Sequence, residues 1–424
     1  MEHWLNEVTS DAALMDDFMK VCSFGGRRSG SGQDSDALNW ALGRLGEIAH
    51  STKRIDVPYA GWQCITASLM LVNHGTSLQC KPLLRSASTL PEGIQLEVVD
   101  LGKGRPEDFN SAGDSIRGRA VLVEHEYPFS PNHMHRRKKY DLAVAKGAAA
   151  FLIASPWAGG GLLSGSSGRG YEQSGIPAAY LDFESAQRLR KTAASGKAVI
   201  NLLIIGEEQP NAMAGVGVLD IIGGQEGTVV ISAHMDGHDL GQSALDNATG
   251  VAVALAAARA LAPHVTQKTP SLRVCLFCAE EWALAGSAKY LDQLPIDDRN
   301  RIKLNINLDT VAGDDSLTAL ISDFPALEPY VEQASQIAQV PIATWLPLMS
   351  NSDHANFARF GIPAFRLVAG FDRPNSRVNN ILSSGDLPAI IKESELRQAL
   401  RVTCALAKIA LDKTEDELNA LALR

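Results

Sequence analysis

The chain has 424 residues, 45% apolar and 21% charged, with a formal net charge of -9 from 39 basic and 48 acidic side chains. That length exceeds what one hydrophobic core usually organises, so at least two domains are expected. The acidic balance gives no attraction to a phosphate backbone or an anionic membrane, which argues against nucleic acid and membrane partners.

The start, MEHWLNEVTSDAALMDDF, lacks the basic region and apolar stretch of an export signal. No apolar run reaches the roughly 18 residues that span a bilayer as a helix. Six dispersed cysteines form no disulfide framework. The expectation is a cytoplasmic protein with reduced thiols.

In chain order, two helices are expected, about Ser10 to Cys22 and about Ser35 to Ala49, joined by the glycine-rich SFGGRRSGSGQD, which reads as a connection. From about 78 to 205, short β-type runs such as GRAVLVEH and AAAFLIAS alternate with loops, and Gly159 to Gly170 is rich in glycine and serine. This reads as a separate β-rich module. Within it, HEYPFSPNHMHRRKKYD carries His125, His133 and His135. Its basic residues disfavour a cation, so a solvated loop is expected there.

After residue 205, strand-length apolar runs (TVVISAH, SLRVCLFCA, IKLNINL, IPAFRLV) alternate with helical segments such as NATGVAVALAAARALA and WALAGSAKYLDQL. The alternation predicts an α/β fold, a mostly parallel central sheet with helices on both faces. Ligands in such sheets bind beyond the carboxyl ends of the strands. Cys275 and Cys278 have C-x-x-C spacing but lie inside an apolar run, so core is expected rather than a metal site.

Three strands end in chemistry. TVVISAH ends in His234, and Asp236, two positions on, shares its face as an orienting carboxylate. SLRVCLFCA runs into Glu280 and Glu281, costly to bury unless paired, protonated or metal-bound. IKLNINL ends in Asp309. Asp246, before the alanine-rich helix, reads alone as an N-cap, but a carboxylate there can also bridge two cations. Jointly, mixed imidazole and carboxylate donors suit two zinc-like ions about 3.5–4 Å apart.

SAHMDGHDLGQSALDNATGVA, CLFCAEEWALAGSAKY, NLDTVAG and SNSDHANFARFGIPAF resemble, in order and spacing, the co-catalytic zinc aminopeptidases, and HDLGQSALDNATG is similar to the plasma glutamate carboxypeptidase branch. The resemblance extends to the GGRRSGSG loop, and DLGKGRPEDF, GRAVLV and AVAKGAAAFLIA are similar to the protease-associated domain often inserted in these enzymes.

It implies a zinc exopeptidase fold over 1–77 and 206–424, with a protease-associated-like domain over 78–205. It also implies a metal-dependent, exo-acting hydrolase of peptide or small aminoacyl or acyl amides, with one or two zinc ions, cobalt or manganese being substitutes. His234 and Glu281 would hold one ion, Asp309 the other, and Asp246 would bridge, across a cis bond to Asn247. Glu280 would be the general base and Asp236 the partner of His234. The expected partner is a peptide or amide substrate, with a homodimer left open.

The chain departs from the family at the last ligand. A histidine usually precedes the C-terminal helix, but NSRVNNILSSGDLPAII places Leu382 there, and no histidine follows His354. His354 is therefore the candidate substitute ligand or substrate contact, with Asp353, Asp372 and Asp386 as further donors. The alternatives are a single-zinc amidase or cyclase, and a weak or inactive descendant serving as a binding protein.

Overall fold

The apolar runs that close the sequence become the centre of a sheet. In a computed structural model describing residues 2–170 and 173–423, the chain forms two units. The first groups Met1–Tyr59, Met213–Ile381 and Asp386–Arg424. Its sheet has eight strands: β1 (Ser51–Pro58), β2 (Met213–Ile221), β3 (Thr228–His234), β4 (Ser271–Phe277), β5 (Ile302–Leu308), β6 (Leu317–Leu320), β7 (Ile342–Trp345) and β8 (Ala364–Ala369).

Their order is β1-β2-β4-β3-β5-β8-β6-β7. β3 pairs in parallel with β4 and β5, β5 with β8, and β6 with β7; the pairs β1–β2, β2–β4 and β6–β8 are antiparallel. The chain leaves β3 for β4 on one side and then crosses to β5 on the other. The strand order therefore reverses at β3, where such sheets open a crevice at their carboxyl ends.

Helices cover both sides of the sheet. After a short helix at Glu2–Val8, the helices α1 (Ala13–Ser23) and α2 (Gln33–Leu45) lie close to the expected pair. α3 (Thr249–Leu261) packs against β3 and between α1 and α5 (Glu393–Leu411), while α4 (Ala285–Gln293) packs on β1 and β2. The helical run Ala244–His264 has the length and hydropathy of a membrane span, but 89% of its apolar window is buried inside the protein. It is a core helix, its alanines allowing α1, α5 and the sheet to approach closely. Cys275 and Cys278 are buried, as the apolar run implied, and burial pushes the Cys275 thiol up to about 12.

The second unit groups Ala60–Ala212 with Leu382–Gly385, wider than the 78–205 read from the sequence. Its outer limits are set by two long strands, Gly61–Leu71 and Val199–Gln209, which pair antiparallel. Ala120–Glu124, Ala150–Ala154 and Ala178–Leu181 form a parallel set, and the helices Arg136–Ala145 and Phe183–Ser195 make the unit mixed rather than purely β. Its core includes Leu83, Phe109, Val121, Tyr140, Phe151 and Tyr180.

The histidine segment is not the solvated loop expected. His125, Tyr127, Phe129, Arg136 and Lys139 are all buried. His125 Nδ1 lies 3.0 Å from Tyr180 Oη, which accepts from Arg136 Nη1 at 2.9 Å, and Lys139 Nζ donates to the carbonyls of Lys103 and Glu124. These basic residues are absorbed by internal acceptors, a use that a charge count along the sequence cannot distinguish from hydration.

Candidate metal centre

β3 delivers His234 into the crevice, 1% exposed. Its Nε2 lies 2.8 Å from Asp246 Oδ1 and 3.6 Å from Asp309 Oδ1. Donor atoms of His234, Asp246 and Asp309 all fall within 4.8 Å of one another, and all three residues are buried. Asp309 thus gathers with His234, whereas the resemblance had put His234 with Glu281 and Asp309 at the other ion. β3 and β5 are adjacent parallel strands, which brings their ends together, while β4 adjoins β3 on its other side and leads to Glu280 and Glu281.

Asp236 is fully buried but serves His234 differently from the sequence reading. The ring Nδ1 lies 3.0 Å from the backbone carbonyl of Asp236, while the carboxylate is 3.7 Å away. The carboxylate instead accepts the backbone N–H groups of Glu280 at 3.0 Å and Glu281 at 3.4 Å. One residue therefore orients the His234 ring and fixes the turn that carries both acids.

Asp246 follows a turn with Ser243 in the left-handed region, φ 47°, and its bond to Asn247 is cis, as the resemblance implied. Buried Asp386 accepts the N–H groups of Leu245 at 2.6 Å and Asp246 at 3.3 Å, and lies 3.4 Å from His238 Nε2. Asp386 is thus a clamp on this turn. Asp353 accepts from Ser287 Oγ at 2.5 Å. His354 is fully buried at the start of the helix His354–Arg359 and lies outside the His234 group.

Burial opposes the charge on His234, but the carboxylates of Glu280, Asp246 and Asp309 outweigh it and raise its basicity well above the ordinary value. Burial raises the Glu280 carboxyl well above the usual range; His234 opposes this, and Glu281, Asp353 and Asp309 reinforce it. Burial also works against ionised Asp309, yet Arg366 and His234 hold its carboxyl below the usual range.

Three supports were not foreseen. The first is the N-terminal loop, read as a mere connection. Arg27 is fully buried and donates to the carbonyls of Val21, Gly25, Met235, Gln242 and Ser243. Ser29 Oγ accepts the Ala279 N–H at 2.8 Å, next to Glu280. A Cβ on Gly26 would stand 1.8 Å from the His238 carbonyl oxygen, so only glycine permits this approach.

The second is a buried polar chain: Asn305 donates to Ser232 Oγ, Ser232 to Asn307, Asn307 to Ser352 Oγ, and Ser352 to Asp309 Oδ2 at 2.5 Å. The third is Arg366, 2.9 Å from Asp309 Oδ1. The asparagines inside IKLNINL and the arginine inside IPAFRLV, polar residues in otherwise apolar runs, were the available signal.

At the position of the usual last histidine, Leu382 is 9% exposed with φ 61°, and its carbonyl accepts the Ser164 N–H at 2.8 Å. Its side chain offers a cation no donor.

Comparison with known proteins gives these residues a context. The model of peptidase family M28 matches residues 218–407, and that of the PA domain matches 94–189. Residues 218–407 are therefore similar to peptidase family M28, and the inserted residues 94–189 to the PA domain. Bovine carboxypeptidase Q is 29% identical over 212 residues, covering 48% of this chain and 44% of the relative. Aminopeptidase YwaD of Bacillus subtilis is 25% identical over 311 residues, 71% of this chain and 63% of that one. The alignment thus spans under half of carboxypeptidase Q.

In overall fold the chain is similar to an M28 peptidase precursor from Shewanella amazonensis, with a TM-score of 0.80 at 20% identity, covering 97% of this chain and 96% of the other. An aminopeptidase from Aneurinibacillus sp. strain AM-1 gives 0.74 at 20% identity over the same shares. Every M28 residue discussed above, from His234 to Asp386, falls inside the matched 218–407, whereas Arg27 and Ser29 lie outside it.

Proposed function

We propose that this chain is a metal-dependent hydrolase that cleaves a peptide or a small aminoacyl or acyl amide, exo-acting, with one tightly held zinc ion for which cobalt or manganese can substitute. The observation that carries this reading is the His234, Asp246 and Asp309 group beside Glu280. The donors fit a cation: His234 Nε2 and Asp246 Oδ1 are buried, face each other at 2.8 Å, and neither has a hydrogen-bond partner. Three protein ligands and an open position are what catalytic zinc keeps.

A bound ion would supply an acidified water and polarise the scissile carbonyl. Glu280 takes the water's proton on its carboxylate and returns it to the leaving amine. Asp236 holds Glu280 by its backbone N–H and keeps the His234 ring turned toward the ligands. The clamps from Arg27 and Asp386 keep Asp246 in register with them.

With Asp309 committed to His234, the weaker second position is that of Glu281 with Asp246, which has Leu382 where the family places a histidine. The inactive-descendant alternative is disfavoured by the retention of Glu280 on its Asp236 support. A cytoplasmic location is proposed on composition, and the described cysteines are all free thiols.

Metal analysis of the purified protein, with a screen of aminoacyl anilides, dipeptides and acyl amides, tests the reading. We expect about one tightly bound ion per chain and metal-restored turnover on at least one of these classes. Failure to bind zinc, cobalt or manganese would overturn it.

A further inference from the structure

Arg366 stands in the middle of β8, between Phe365 and Leu367, with 2% exposure. β8 pairs with β5 so that Arg366 lies opposite Asn307, two residues before Asp309. A guanidinium at such a place is costly unless its charge is met. Asp309 meets it at two points: Nη2 lies 2.9 Å from Asp309 Oδ1 and Nε donates to the Asp309 backbone carbonyl at 3.3 Å, while Nη2 also donates to Thr310 Oγ1 at 3.4 Å. Nη1 donates to the Asn351 carbonyl at 3.3 Å.

Asp309 Oδ1 is also the oxygen that faces His234 Nε2 at 3.6 Å, and it accepts from Thr310 Oγ1 at 3.1 Å. A carboxylate oxygen has about two lone-pair sites. Oδ1 is therefore already engaged by a hydroxyl and a cation. Oδ2 is engaged by Ser352.

We propose that Arg366 is a positioning residue with an opposing electrostatic role: it neutralises Asp309 when no ion is present and lowers the affinity of the His234, Asp246 and Asp309 group for a divalent cation. The inference rests on the metal-site reading above. In the metal-free protein, the guanidinium is the fixed positive charge facing Asp309 Oδ1, the oxygen turned toward His234. In the loaded protein the same charge repels the ion and withdraws electron density from its ligand. The site then exchanges its metal more readily than its three donors alone would allow.

A purely structural role predicts the opposite sign, because loss of an anchor on a ligand normally weakens metal binding. The test is competition of zinc against a chromophoric chelator, with thermal melts of the metal-free and zinc-loaded forms. Arg366→Met should bind zinc about tenfold or more tighter than the unmodified protein, melt lower when metal-free, and gain more from zinc. Should Arg366→Met fail to fold, Arg366→Gln, which keeps an N–H donor without the charge, should show the same tightening.

Arg366→Lys, which keeps the charge and loses the planar fork, should stay near the unmodified affinity. Unchanged or weaker zinc binding in the folded neutral variant overturns the proposal, as does tightening in Arg366→Lys equal to that in Arg366→Gln. Absence of zinc binding in the unmodified protein would instead defeat the metal-site reading itself.

Discussion

The two histidine-bearing regions of this chain have opposite electrostatics. His234 is buried among Asp246, Asp309 and Glu280, which raise its basicity. His125 is held well below the ordinary histidine value by burial, then Arg136 and Lys139, and His135 by burial, then Arg137 and Arg136. His133 is lowered by burial too, although Glu126 opposes it. Three histidines within eleven positions form no metal-capable group among the described residues, and one histidine gathered with two distant carboxylates does. For a divalent cation, the charge of the surrounding shell matters more than the density of imidazoles.

The sharpest way to break that comparison is to exchange the two regions' fates. His234→Ala should abolish both zinc binding and turnover, while His133→Ala should leave both near the unmodified level. Zinc loss in the second variant alone would reverse the assignment. Next in size is Glu280→Gln, expected to lower kcat by about 10²–10⁴-fold with the zinc content kept. Metal analysis on the same sample separates a base from a ligand, because loss of zinc along with turnover would make Glu280 structural.

A smaller effect is expected of Arg27→Lys, whose single ammonium cannot reach five carbonyls. Zinc affinity should fall about 10–100-fold, as for other groups that orient ligands. An unchanged chelator titration would show that the loop holds itself.

The smallest effect concerns pH. His125 is neutral in the folded protein and takes up a proton on unfolding below its ordinary value of about 6.5. The unfolded chain then binds more protons, so stability is full above that pH and falls as pH drops below it. The slope is about 1.4 kcal/mol per pH unit for this one group. Thermal melts from pH 7.5 to 5.5 should be steeper for the unmodified chain than for His125→Gln; equal slopes would remove His125 from the account.

Much of the first unit was legible because its strands are buried on both faces. TVVISAH coincides with β3, which ends in His234, and IKLNINL with β5, which Asp309 follows directly. The grouping of Asp309 with His234 and Asp246 was not legible, because it depends on how the turns after the strands place their side chains, which no single run writes. Arg366 and Ser352 escaped for a related reason: each acts on Asp309 from another element, and alone Arg366 looks like an interruption of an apolar strand. The second unit's limits were misjudged because Gly61–Leu71 is only partly buried and so lacks a clear apolar run.

The Arg27 clamp also sets a condition on when the site can exist. Its guanidinium meets the carbonyl of Met235 across 208 positions and that of Ser243 across 216. Contacts so far apart in the chain form late, because the intervening loop must first be closed. The turn at residues 235–243 is therefore completed by a segment that lies more than 200 positions earlier in the chain.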